Sequence, residues 1–279
     1  MTVNATGFWG RATAYLLLCV AAVVVLIPVL WMVSTAFKDD TELFTTPPRW
    51  IPDNPTWAAF VRVWSDYPFT QYFANSILAV GASTLIALVF SALAGYGLSR
   101  FEFRGKGSFL TFLLVTQMFP SIMLLIPFYR IIATLGLINT LSALIITYVS
   151  FTVPFCTWLM YGYFRSIPKE LDEAAALDGL GRLRTFAQVV MPLALPGLAA
   201  TAIYCFITGW NEYVFALVLT QSDDVQTVPV GIGQLIGQYR ILWNDMMAAS
   251  LYAAVPLVLV FVFLQKYLIS SLTAGAVKN

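Results

Sequence analysis

The side chains that could perform chemistry are few in this chain, and one of them stands alone. Glu212 is the only carboxylate inside a long apolar stretch, and Trp210, Asn211 and Tyr213 flank it. Gln117 lies in another such stretch. If these stretches cross a membrane, a charge at the centre costs about 2.5–3.5 kcal/mol unless it meets a wet path or a polar partner. The five residues are therefore candidates for a polar substrate path, and the alternatives are a hydrogen-bonded lock between helices or a snorkelling group.

Missing residue types exclude most catalytic chemistry. The chain has no histidine, which removes the Ser-His triad, the HExxH zinc site and histidine proton relays. The cysteines, Cys19, Cys156 and Cys205, each lie in an apolar run, and no CxxC pair occurs. They are interpreted as buried thiols, with neither a disulfide framework nor a metal site. We predict no catalytic, cofactor-binding or metal-ligating residue.

Composition places the chain in a membrane. Of its 279 residues, 59% are hydrophobic and 10% are charged, and the net charge is +1. Soluble domains carry about 25% charged residues, so this chain cannot cover a water-facing surface of ordinary size. A soluble enzyme, a disordered protein and a nucleic-acid-binding protein are all excluded on these grounds.

Runs without charge predict six transmembrane helices, since about 20 apolar residues cross the hydrocarbon core. Their centres fall near 14–35, 75–98, 108–129, 141–163, 196–219 and 246–268. The corresponding division is 1–70 for the first helix and an external loop, 71–270 for a five-helix core, and 271–279 for a C-terminal tail. The predicted fold class is all-α integral membrane.

Lysine and arginine predict the orientation, because they are enriched in cytoplasmic loops. With six spans both termini lie on one side. Placing that side in the cytoplasm puts ten basic residues inside and five outside, which favours cytoplasmic termini. The inside residues are Arg11, Arg100, Arg104, Lys106, Arg165, Lys169, Arg182, Arg184, Lys266 and Lys278, and the outside residues are Lys38, Arg49, Arg62, Arg130 and Arg240.

The loop between the fourth and fifth spans contains a predicted short helix near 168–180. Ser166 is a suitable N-cap, and the acidic residues that follow suit the positive end of a helix. Ala174, Ala175 and Ala176 favour helix, and Gly179 favours a stop. This smooth helix could lie in a groove on a partner, or it could pack on its own bundle.

The second predicted span carries a small residue at every fourth position, a pattern that lets another helix approach closely. The pattern fits packing within the chain or an interface with another subunit. Its residues are Ala79, Ser83, Ala87, Ser91, Gly95 and Ser99.

The loop resembles the EAA loop of bacterial ABC importer permeases. Glu173-Ala174-Ala175 is followed by Gly179, and then by Val189 and Met191-Pro192 where the family has an isoleucine and Leu-Pro. Trp210–Tyr213 with Ala216-Leu217, and the ending Leu272–Lys278, are similar to the carbohydrate branch of that family, in particular to its smaller maltose-type permease subunit. The resemblance covers nearly the whole chain and implies a type I importer bundle.

The resemblance also implies how the chain acts. The EAA loop would be a coupling helix that docks on an ABC ATPase dimer, and the tail from Leu272 to Asn279 would be a second contact. A second homologous permease subunit and an extracytoplasmic sugar-binding protein would complete a sugar importer in a bacterial or archaeal cell membrane. The docking residues it implies are Glu173, Ala174, Ala175, Asp178, Gly179 and Pro192.

The chain would not itself hydrolyse ATP. A P-loop needs a glycine five residues before its Gly-Lys pair, and Gly105-Lys106 has Arg100 at that position. ATP and Mg would therefore be bound by the partner ATPase. The rival hypothesis is an ion-coupled secondary transporter that uses Glu212. It has little support, because a single carboxylate and no histidine provide few groups to bind or pass on a proton or an ion. A channel would need filter loops that the sequence lacks.

Overall fold

The computed structural model describes residues 8–237 and 241–276, and side chains within 10–237 and 241–267. The predicted C-terminal contact therefore falls partly outside the described residues, at 277–279, and the side chains of 268–276 are not described. Regular structure in the described ranges is helical, apart from one isolated antiparallel bridge between Ile236 and Ile241.

Three of the first six helices, α1, α3 and α6, are long and apolar. The six helices are α1 (Phe8–Ala36), α2 (Ala58–Ser65), α3 (Phe69–Arg100), α4 (Lys106–Thr116), α5 (Leu125–Thr134) and α6 (Leu141–Ser166). Short 3₁₀ turns occur at Asp40–Glu42 and Ser121–Leu124.

The second half begins with short helices. They are α7 (Glu170–Leu177), α8 (Arg182–Thr185), a π-helical turn (Phe186–Val190), α9 (Met191–Leu193), α10 (Leu195–Trp210), α11 (Val214–Leu219), α12 (Val228–Gln234) and α13 (Trp243–Ala276).

Four described helical segments are long and apolar enough to cross a membrane: Gly10–Ala36, Phe69–Arg100, Leu141–Ser166 and Trp243–Tyr267. Two bent pairs can each form a further span. One is α4 with Ser121–Thr134, bent by 95°, and the other is Arg182–Leu193 with α10, bent by 78°. Counting each pair once gives up to six spans, in agreement with the predicted all-α membrane class.

The predicted third and fifth spans are not single helices. The span predicted at 108–129 breaks after Thr116, because Pro120 cannot donate a backbone hydrogen bond and no helical ladder runs through it. The span predicted at 196–219 breaks between Trp210 and Val214. There the Ile207 carbonyl oxygen accepts both the Asn211 backbone N–H at 3.1 Å and the Asn211 side-chain amide at 2.8 Å, so a side chain adds a second donor where the helix ends.

The small-residue stripe of α3 is buried within this chain. Ala79, Ala87 and Ser91 are fully covered, and Gly95 lies against α6. A Cβ at Gly95 would stand 2.8 Å from the Met160 Cβ and 2.9 Å from the Tyr161 backbone nitrogen. Of the two uses left open by the sequence, the stripe therefore serves intrachain packing.

The described residues form two compact units, one within Met1–Tyr67 and Gln234–Ala254 and the other within Pro68–Gly233 and Val255–Asn279. In the first unit, Arg62 on α2 forms an ion pair with buried Asp245 on α13, and the Tyr67 hydroxyl donates to the same carboxylate at 3.2 Å. The hydrogen bond to Asp245 raises the pKa of Arg62. Aromatic contacts surround this pair, involving Phe37, Trp57, Phe60, Trp64 and Tyr252.

Candidate functional site

Helix α7 begins later than the sequence predicts. Ser166 is the last residue of α6, and its hydroxyl donates to the Tyr163 carbonyl oxygen at 2.7 Å, so the predicted N-cap role of Ser166 is wrong. The helix starts at Glu170, after Lys169, which makes no side-chain cap. Three acidic side chains in the first turn, Glu170, Asp172 and Glu173, still favour the positive helix end as predicted.

The C-terminus of α7 is a Schellman motif centred on Gly179. The Leu180 N–H donates to the Ala175 carbonyl at 2.9 Å, and the Gly179 N–H donates to the Ala176 carbonyl at 3.1 Å. Gly179 has φ +83°, and a Cβ there would meet no atom within 4 Å. The glycine is therefore required by backbone conformation and not by space, which confirms the predicted turn.

The two alanines of the EAA pattern lie in different environments. Ala175 is only 4% exposed and packs within its own chain, so its side chain is not free for a partner. Ala174, Glu173, Asp178 and Gly179 are exposed. Docking through the two alanines stays a prediction, and of the two only Ala174 has an exposed side chain, because neighbouring helix residues point in different directions.

Leu177, which the sequence argument passed over, is the most exposed apolar residue of this region. It is 91% exposed at the last position of α7, and Leu183 on α8 is 77% exposed. Leu177 lies outside the candidate spans, so its exposed side chain is available for a protein contact. The sequence places Leu177 three residues after Ala174 and therefore on the same side of the helix. Only the fold shows that this side is exposed.

Helix α7 is fastened to α3 and α6 by a polar network. The Tyr96 hydroxyl donates to Asp172 at 2.6 Å, and the Arg100 Nε stands 2.9 Å from the same carboxylate. Arg100 also donates to the Phe164 carbonyl oxygen of α6 at 3.0 Å. Arg100 is nearly buried, with a side chain 6% exposed, so screening of this pair by water is weak.

Pro192 lies in α9, immediately after the π-helical turn, and is exposed. Val190 beside it is fully buried in a cluster with Met160 and Phe164 of α6. The segment from α7 to α9 is thereby attached to the same helix that receives Arg100. Helix α6 is the common support of the whole candidate docking region.

The five candidate path residues have separate roles in the structure. Trp210 is 2% exposed, stacks on Phe206 and belongs to the core, so its side chain is used for packing. Asn211 and Tyr213 are exposed at the break after α10. Gln117 is exposed at the break after α4. The described structure does not bring the five into one cluster, and a path role stays a prediction for the exposed members.

Glu212 acts as a cap. Its two carboxylate oxygens accept the Phe215 and Ala216 backbone N–H groups, each at 2.9 Å, at the start of α11. These are donors that a helix N-terminus leaves unpaired. The sequence left open a structural role for Glu212 as a hydrogen-bonding group between helices. The hydrogen bonds to Phe215 and Ala216 join Glu212 to the start of the next helix, α11. Among the described residues, no group of three or more His, Cys, Asp or Glu could hold a metal ion.

The structure describes a helical membrane protein with up to six candidate spans and a short exposed helix, α7, between two of them. Residues 87–273 match the model of the binding-protein-dependent transport system inner membrane component family, and the chain belongs to that family. It is accordingly a membrane subunit without catalytic function.

Relatives of known name cover nearly the whole chain. The trehalose/maltose transport system permease protein MalG of Thermococcus litoralis is 39% identical over 92% of this chain and 93% of its own length. The inner membrane ABC transporter permease protein YcjP of Escherichia coli is 36% identical over 100% and 98%. A crystal structure of a bacterial ABC transporter involved in the import of the polysaccharide alginate matches with TM-score 0.78 at 26% identity, covering 96% of this chain and 99% of that one. These matches support the predicted membership of the ABC importer permease family, in its carbohydrate branch.

Proposed function

We propose that this chain is the transmembrane permease subunit of an ATP-driven, binding-protein-dependent importer of a di- or oligosaccharide, working by alternating access. The observation that carries the proposal is the exposed face of α7, with Leu177 at 91% exposure beside Ala174 and Glu173. An apolar, small-residue helix face of this kind suits a groove on another protein. The ATPase dimer, which binds ATP and Mg, is the proposed occupant.

The network behind α7 supplies a route for coupling. Asp172 joins α7 to Tyr96 and Arg100 on α3, and Arg100 joins α3 to α6. A displacement of α7 by the ATPase must therefore move both spans or break a nearly buried ion pair. Because breaking such a pair is costly, the spans follow α7, and ATP binding shifts the population between inward-open and outward-open bundles.

The external partners are inferred from the family. Its description names a binding-protein-dependent system, and the matched relatives include sugar permeases. The proposed docking surface for the sugar-binding protein comprises the external loops at 36–74 and 220–245, of which 238–240 lie outside the described residues. A second homologous permease subunit would complete the path in a bacterial or archaeal cell membrane, with both termini in the cytoplasm.

The rival function at Glu212 has less support. Both carboxylate oxygens already accept backbone N–H groups, which leaves less capacity for a transported ion. Asn211, Tyr213 and Gln117 remain the proposed contacts of a hydroxyl-rich substrate.

The test is co-purification of the ATPase with Leu177→Glu. We expect the variant to stay in the membrane, folded, and to lose most of the bound ATPase and binding-protein-stimulated ATP hydrolysis, because a charge would enter an apolar groove. Ile51→Glu is the matched control for ATPase recovery alone, since Ile51 is an aliphatic residue 82% exposed on the predicted external side, within the loop proposed to meet the sugar-binding protein. ATPase recovery equal in Leu177→Glu and Ile51→Glu would reject α7 as the docking element.

A further inference from the structure

A cavity lined by basic residues lies at the ends of three apolar helices. It has a volume of about 880 Å³ and is formed at the C-terminal ends of α3 and α6, the start of α4 and the segment before α7. Its four cationic side chains are Arg100, Lys106, Arg165 and Lys169, and its carboxylates are Glu102 and Glu170. We call this set the basic groove.

Two of the four cations already have carboxylate partners. Arg100 pairs with Asp172 at 2.9 Å, and Lys106 pairs with Glu102 at 2.8 Å. Arg165 and Lys169 form no ion pair among the described residues. The hydrogen bond from Lys106 lowers the pKa of Glu102, and Lys169 and Arg165 add to that effect from a distance. The groove therefore holds positive charge that its own carboxylates only partly offset.

Two of these cations meet at one aromatic ring. The Lys106 ammonium lies 5.8 Å from the centroid of Tyr161, and the Arg165 guanidinium lies 5.7 Å from it. The Arg165 Nη1 also reaches the Tyr161 hydroxyl at 3.5 Å. Like charges held on one ring repel each other, and an anion placed near both would offset that repulsion.

A second cavity adjoins the groove. It has a volume of about 370 Å³, shares Tyr161 and Arg165 with the groove and is lined also by Trp158, which is 40% exposed on α6. Tryptophan and tyrosine near the end of a span favour the headgroup level of a membrane. An anion with an attached acyl portion fits this arrangement better than a free ion, because the apolar part would pass Trp158.

We propose that the basic groove binds the phosphate headgroup of an anionic phospholipid, with Lys106 and Arg165 contacting the phosphate and Trp158 flanking the acyl portion. Basic pockets between membrane helices bind such headgroups in general. The proposal does not depend on the transported substrate or on α7 as a docking helix. It assigns a ligand site to Lys106, Arg165 and Lys169, which have no role in the transport proposal.

The experiment is native mass spectrometry of the full chain in its purified membrane complex, titrated with phosphatidylglycerol or with phosphatidylcholine in detergent. We expect selective retention of phosphatidylglycerol and a loss of affinity of roughly 25-fold in the double variant Lys106→Gln/Arg165→Gln, at about fivefold for each charge. Arg184→Gln, which removes an exposed arginine of α8 outside the groove, should bind as the unchanged chain does. Arg165→Lys keeps the charge and should retain most of the binding.

Three results would overturn the proposal. The first is equal retention of the two lipids. The second is a Lys106→Gln/Arg165→Gln variant that elutes as a monodisperse complex and still binds phosphatidylglycerol normally. The third is displacement of the lipid by millimolar inorganic phosphate with the same variant dependence, which would assign the groove to a soluble anion. If the double variant does not assemble, the single variant Lys169→Gln, at an exposed position, gives the same test with an expected loss of about fivefold.

Discussion

Small residues occur both in the interface between α3 and α6, which we call the seam, and on the outer face of α7, but they are covered in the first and exposed in the second. In the seam, Ala79, Ala87 and Gly95 are covered, and the helix backbones come close enough that a Cβ at Gly95 would clash. On α7, Ala174 and Ala176 are exposed beside an exposed leucine. Small residues permit close approach in both places: the approaching element belongs to the chain itself in the seam, and in our proposal it belongs to another protein on α7.

The difference separates stability from coupling. A change in the seam acts on the fold, because close-packed interiors tolerate little added volume. We expect a change on the outer face of α7 to leave the chain folded and to act on the proposed partner. Asp172 and Ala175 lie between these extremes, since they belong to α7 but face inward.

The largest effect is expected from Gly95→Leu. The new side chain would meet Met160 and the Tyr161 backbone, so α3 and α6 must separate, at a cost of about 3 kcal/mol or more. Thermal unfolding and the yield of monodisperse protein measure this. Gly97→Ala is the control, because a Cβ at Gly97 meets nothing within 4 Å, and it should be neutral or slightly stabilising. Equal behaviour of the two would contradict a tight seam.

Asp172→Ala should come next, at about 2 kcal/mol, because it leaves the nearly buried Arg100 without its partner. We expect faster hydrogen exchange across α7 and weaker coupling of ATP hydrolysis to transport. Glu173→Ala, one position along and exposed, should leave the exchange of α7 unchanged. Unaltered exchange in Asp172→Ala would remove the proposed connection between α7 and the spans.

Gly179→Ala should cost about 1 kcal/mol, since an L side chain is disfavoured at φ +83°. Gly181→Ala is matched in size and lies two residues away, with φ −71° and open space, so it should be neutral. Thermal unfolding compares them. The same melting temperature for both would mean that the α7 terminus relaxes and that the Schellman motif is not required.

The smallest effect is expected from Glu212→Gln, about 0.5–1 kcal/mol, because the amide keeps one acceptor oxygen while the charge at the start of α11 is lost. Sugar uptake should persist with an unchanged pH profile. A complete loss of uptake, with a pH dependence that disappears in the variant, would revive the ion-coupled alternative.

The sequence predicted some features well because their causes are local. A positive φ favours glycine wherever it occurs, so the turn at Gly179 followed from residue type and spacing. The long apolar runs that became α3, α6 and α13 followed from hydropathy. Orientation and the docking residues stay predictions, since a single chain contains neither a membrane nor a partner.

The breaks in the spans were harder to foresee. A proline or a polar cluster inside an apolar run is tolerated in many membrane helices, because neighbouring groups satisfy the freed backbone. At Pro120 the helix stopped and bent, whereas Pro154 lies inside a continuous α6. The same residue type gave two outcomes, so the presence of a proline does not by itself predict a break in a span.

Residue type alone was enough to predict a helical membrane protein and the end of a helix at Gly179. Only the tertiary structure decided that Trp210 is core, that Ala175 faces inward while Ala174 faces outward, and that Asp172 reaches Arg100. The physical reason is that hydrophobicity and backbone preference are properties of a residue and its neighbours in sequence. Which side of a helix is covered depends on elements that lie far away along the chain.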